Sequence, residues 1–199
     1  MQGIRYDMRR QIAYLAARLM AENGISDFAI AKQKAARQAG TSDTNSLPDN
    51  REIEIALRAY QALFLGDEQP KQLHRLRELA LEAMRLLSDF KPLLTGSVLK
   101  GTAGAHSGID LQLFANDSKE VELFLINHGI IYRTQLRHVC VGGKSREIPV
   151  LRLEFSGAQL SLAVFPALSS RITLKNREGS SSLERAGIRE VAAMLTENP

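Results

Sequence analysis

The sequence predicts an α+β protein in two parts: a helical bundle over residues 1–90, then a mixed sheet with flanking helices over residues 91–199. Apolar residues recur at helical spacing as far as residue 90 and in alternations or short runs beyond it; that change of period marks the expected domain boundary. With 199 residues, 44% hydrophobic and 24% charged, the chain can bury one large core or two small ones, which excludes disorder as its resting state.

Ile4, Met8, Ile12, Leu15, Leu19 and Met20 form the stripe of a first helix, which Asn23-Gly24 ends. Residues 27–39 give a second, shorter helix. After a polar loop from Thr41 to Leu47, Pro48-Asp49 with Glu52 three positions on starts a third helix, because both carboxylates suit the positive helix end. Ile53, Leu57, Tyr60 and Phe64 line its inner face. Leu73, Leu76, Ala80, Ala83 and Leu87 line a fourth, which Pro92 keeps from extending. Residues 93–95 and 109–114 read as strands joined by a loop with glycines at 101, 104 and 108, able to approach a ligand closely. Asp117-Ser118 opens a helix through Val121, Phe124, Leu125 and His128 that Gly129 closes. Extended segments follow at 130–141, 148–155 and 159–165, with turns at Gly142-Gly143 and Ser156-Gly157. Behind a polar, mobile loop from Arg171 to Ser182, a last helix is expected from Ser181, with Glu184 as capping partner, to Leu195.

Lys plus Arg exceed Asp plus Glu by four, mostly within residues 91–199, a surplus that permits an anionic ligand but is no nucleic-acid footprint by itself. The single cysteine, Cys140, excludes an intramolecular disulfide and a cysteine-rich zinc site, and reads as a packing residue. No apolar run approaches bilayer length and residues 1–7 lack the apolar core of a secretory signal, so a cytoplasmic protein with no membrane partner is expected.

The candidate site begins at Leu94-Thr95-Gly96-Ser97, where a strand runs into a Gly-Ser pair whose backbone N–H groups and hydroxyl suit a phosphate. Lys100 and His106 are further cations of the glycine loop, His106 reading more simply as a solvated side chain. Asp110 alternates with Ile109 and Leu111, so it points away from their face and shares its own with Gln112. Elsewhere, Lys32, Lys34 and Arg37 among small residues of the helix at 27–39 suggest the second half of a helix-turn-helix.

The order of strand, Gly96-Ser97, spacer, Asp110-x-Gln112, helix and further strands resembles the polymerase-beta-like nucleotidyltransferase superfamily over residues 91–165. That family's motif is a Gly-Ser or Gly-Gly pair followed by two acids one residue apart, with a third carboxylate on a later strand. The helical first half is similar to that of a small bacterial family with this layout. The resemblance implies a nucleoside triphosphate at Gly96, Ser97 and Lys100, Mg2+ or Mn2+ at Asp110 and Gln112, and Asp110 as the catalytic residue. In this chain one of the paired acids is the amide Gln112, and the third position corresponds to Ser161; Glu154 is an offset substitute that reads more simply as a surface acid paired with Arg152. Two-metal phosphoryl transfer needs carboxylates that bridge two cations, and a single carboxylate serves it poorly. The expectation is therefore a nucleotidyltransferase-fold protein with a depleted metal site that binds a nucleotide or a protein partner. The alternatives are an active metal-dependent transferase with an unusual metal set and a nucleic-acid-binding regulator using the helix at 27–39.

Overall fold

The structure, a computed structural model, describes residues 2–25, 27–41, 47–141, 144–171 and 184–197. The chain divides into two compact units, Met1–Leu73 with Thr102–Ser107, and His74–Gly101 with Gly108–Pro199. The division falls inside the fourth helix, ahead of the boundary expected at residue 90, and the loop segment 102–107 goes with the helical unit.

The helical unit is built on α1 (Gln2–Asn23), α2 (Phe28–Gln38) and α3 (Asn50–Phe64). Asp27 caps α2, its carboxylate accepting from Ala29 N at 2.7 Å and Ile30 N at 3.3 Å. At the start of α3, Asp49 accepts from Glu52 N at 2.8 Å while Glu52 accepts from Asp49 N at 2.6 Å, the reciprocal cap anticipated from the spacing. Ile12, Ala16, Ala31, Ala35 and Ile53 form a small-residue core, in which the alanines let the helices approach closely.

Arg9 of α1 forks onto Glu52 with contacts of 2.7 and 2.8 Å. That hydrogen-bonded guanidinium holds the Glu52 carboxyl below the usual carboxylate range, against partial burial, with help from the Asp49 N–H. The pair's stabilisation is therefore complete above the unfolded carboxylate value and disappears as pH falls through the lower folded value. Both side chains are more than a third exposed, so solvent screening limits the pair to about 1 kcal/mol. Glu52→Gln should lower the melting temperature by about 2–4 °C at pH 7 and by nothing near pH 3; a loss that persists at pH 3 would show the charge to be irrelevant.

In the second unit, α4 (Glu68–Leu86, present here from His74) precedes a 3-10 turn at Ser88–Phe90 and left-handed Lys91, then β1 (Leu93–Thr95) and α5 (Gly96–Lys100). There follow β2 (Ile109–Ala115), α6 (Ser118–Asn127), β3 (Tyr132–Val141), β4 (Lys144–Phe155), β5 (Ala158–Pro166) and α7 (Ile188–Glu197). The strands form one mixed sheet in the order β1-β2-β5-β4-β3, parallel only between β2 and β5. Leu111, Leu113, Leu151, Leu160 and Leu162 are buried on one face of it, Val121 and Leu125 of α6 are buried as well, and Phe90 meets Phe124 edge to face at 5.5 Å. Ser156 and Gly157, both at positive φ, make the two-residue turn between β4 and β5.

The last helix is a correction. It begins at Ile188 instead of Ser181, because Ala186 is held extended by paired hydrogen bonds with Leu94 (2.8 and 3.0 Å) and the helix can start only beyond them. Its cap is the Glu190 carboxylate, which accepts from Gly187 N, and Glu184 lies outside any helix. Ser181, the turn at Gly142-Gly143 and the expected mobile loop beyond Arg171 lie outside the described residues, as does the side chain of Cys140. No helix among the described residues is long and apolar enough to cross a membrane.

Candidate functional site

The register of the sheet lays out the site. Thr95, Asp110, Ser161, Arg152 and Arg133 stand opposite one another across five strands, and directly opposed residues share a face. One pleat along, Leu93, Gln112, Ala163, Val150 and Gln135 form the next row on that face. Asp110, Gln112 and Ser161 are therefore brought together, with Ser161 directly beside Asp110 on the parallel strand.

Gly96 turns the chain from β1 into the short helix α5, where a plain loop was expected. Its φ is 75°, and an added Cβ would lie 2.6 Å from Asp110 Oδ2, so glycine is required twice over. Thr95 Oγ1 donates to the Asp110 carbonyl at 3.2 Å and fixes the strand end beside it. Ser97 follows Gly96, and Lys100 ends α5 before left-handed Gly101.

Burial pushes the Asp110 carboxyl up, although Arg137, Arg152 and a hydrogen bond donated by Ser161 all favour its charged form. Gln112 is 4% exposed, and its Oε1 has no hydrogen-bond partner among the described residues. A buried acceptor left open in this way is a place for a donor on a ligand. Glu154 is exposed one pleat beyond Arg152 on the same strand face, too far along to complete a carboxylate trio in the Asp110 row.

Several expected participants belong to the helical unit. Gln61 donates to the Thr102 carbonyl and Gln69 to the Ala103 carbonyl, each at 2.8 Å, which anchors that stretch within the helical unit. His106 packs against Gly24 there, where an added Cβ would lie 2.6 Å from His106 Cβ. In α2, Lys34 and Arg37 are exposed but Lys32 is 9% exposed, so the three cations of the helix at 27–39 do not present one basic face.

Arg137 and Arg152 are the site residues that sequence reasoning missed. The signal for Arg152 was present: a two-residue turn at 156–157 pairs 155 with 158 and hence 152 with 161, placing this arginine beside the row of Asp110. Arg137 had no local signal, since its position depends on the path of the whole β3–β4 hairpin.

The donor set does not fit the two Mg2+ or Mn2+ ions that the resemblance implies. It offers one carboxylate, one amide carbonyl and a hydroxyl already donating to that carboxylate. Among the described residues no three His, Cys, Asp or Glu side chains gather as metal ligands.

No family model matches the chain, and no curated protein does. Among solved structures it is similar to Cid1 in complex with the UTP analogue UMPNPP (19% identity, TM-score 0.35, covering 49% of this chain and 32% of that one). It is also similar to a cytoplasmic RNA terminal U-transferase (23% identity, TM-score 0.32, 52% and 31%). A further Cid1 structure, described for its RNA terminal uridylyl transferase activity, gives 18% identity and a TM-score of 0.31 over 52% and 32%. The chain thus spans about a third of the length of each of these proteins.

Proposed function

We propose that this chain is a nucleotide-binding protein on a nucleotidyltransferase-like fold, with its metal-dependent turnover lost. The observation that carries this reading is the row Asp110–Ser161 with Gln112 one pleat away: three positions that share one face, of which one is a carboxylate. Gly96, pressed against Asp110, and Ser97 beside it supply the turn at which a phosphate would lie. Asp110, flanked by a neutral amide and a neutral hydroxyl, lacks the anionic partners needed to bridge two divalent cations and align attacking and leaving oxygens.

The protein incubated with ATP, CTP, GTP or UTP should bind at least one of them and release no pyrophosphate with Mg2+ or Mn2+. Robust turnover abolished by Asp110→Asn would overturn this and favour an active transferase. Restoring the carboxylates by Gln112→Asp with Ser161→Asp should create a cation-dependent rise in melting temperature that the natural chain lacks, since three empty carboxylates repel and a bound cation relieves them. A folded double variant with an unchanged cation response would separate these positions from one site.

A further inference from the structure

We propose that β3 is an interface: two copies of this chain pair along their β3 edges, antiparallel about a two-fold axis at Leu136, and so join their sheets into one. The inference stands apart from the nucleotide-binding reading, and neither depends on the other.

The two edges of the five-stranded sheet are unlike. At one, β1 is three residues long, and Leu94 exchanges backbone hydrogen bonds with Ala186, which covers that edge. At the other, β3 is ten residues long and pairs with β4 residue for residue from Tyr132 to Val141, without a bulge. Half of its N–H and C=O groups point away from β4, and among the described residues no backbone hydrogen bond outside the β4 ladder reaches them. Folded monomers blunt such edges with short strands, proline, lysine or a bulge, and β3 has none of these. Arg133 to His138 are exposed on both faces, and Ile131 and Leu136, 89% and 66% exposed, offer apolar area for a partner to cover.

The residues of β3 select a second copy as that partner. A two-fold axis perpendicular to the sheet keeps every side chain on its own face, so an odd-numbered residue can oppose only an odd one and an even only an even one. With the axis at Leu136, that leucine meets its own copy, Gln135 opposes Arg137, Arg133 opposes Val139 and Thr134 opposes His138. Each arginine then faces a neutral side chain. Moving the axis to Gln135 sets Arg133 against Arg137, and moving it to Arg137 sets that arginine against itself; directly opposed like charges destabilise a ladder. Moving it by two residues, to Thr134 or His138, shortens the paired stretch. The register that runs from Tyr132 to Cys140 is thus also free of opposed arginines, a self-complementarity that pairing with an unrelated strand would not require.

Sedimentation of the full chain at micromolar concentrations should show a dimer. Leu136→Lys sets two ammonium groups against each other on the axis and should raise the dissociation constant about tenfold or more. Leu168→Lys, at another exposed leucine beyond β5, should leave it unchanged. Leu136 is exposed in the single copy, so the fold should survive its replacement, as melts in dilute solution will check. A second measurement does not depend on that variant. In a Cys140→Ser background, Leu136→Cys should cross-link two copies under mild oxidation and Leu168→Cys should not, because opposed Cα atoms of an antiparallel ladder lie about 4.5–5.5 Å apart, within the span of a disulfide.

A chain that stays monomeric throughout this range would overturn the self-pairing, as would a dimer indifferent to Leu136→Lys. Cross-linking through Thr134→Cys in place of Leu136→Cys would overturn the register.

Discussion

Gly96→Ala should lower the melting temperature by about 4–8 °C, against about 2–4 °C for Gly129→Ala. Both glycines hold left-handed conformations, with φ of 75° and 67°, so alanine strains the backbone alike at either site, by about 1–2 kcal/mol. They differ in what a methyl group meets. At Gly129 nothing lies within 4 Å, whereas at Gly96 the Asp110 carboxylate oxygen lies 2.6 Å from the added carbon and must move. The excess loss is therefore a reading of the Gly96–Asp110 contact, and it should vanish when Gly96→Ala is made in an Asp110→Ala background. Equal losses at the two glycines, or an undiminished loss in that background, would place Asp110 away from the β1 turn.

Asp110→Asn should stabilise the protein at neutral pH. Burial lifts the Asp110 carboxyl above its unfolded value more than Arg137, Arg152 and Ser161 lower it, so the folded state prefers the protonated acid. The native protein then loses stability as pH rises from the unfolded value, near 3.9, through the folded one, and the penalty is fully present above it. A neutral amide of the same shape escapes this penalty. The variant should melt higher at pH 7, with the difference shrinking to nothing near pH 3. A variant that melts lower at pH 7 would mean that the two guanidiniums dominate over desolvation.

The parts of this molecule that were legible in the sequence are those governed by neighbours in the chain. Asp49 with Glu52 announced its cap, Asn23-Gly24 its helix end, and the alternation around Asp110 its side of β2, because each depends on spacings of one to four residues. The start of α7 was misplaced for the converse reason: the Leu94–Ala186 bridge joins residues far apart, and no local capping signal competes with it. The carbonyls of Thr102 and Ala103 accept from Gln61 and Gln69, contacts between residues far apart in the chain that the loop's glycines do not announce.

The excursion from His74 to Gly101 between two pieces of the helical unit also bears on how the molecule is made. During synthesis α1, α2 and α3 leave the ribosome before the strand of chain that completes them, so the Gln61 side chain, 5% exposed in the finished protein, must wait for the carbonyl of Thr102. A buried amide without its acceptor is poorly tolerated, and the nascent first unit is correspondingly incomplete until residue 107 has emerged. Cutting the gene at residue 90 would make that interim state permanent, whereas a fragment carried through residue 107 retains the acceptor.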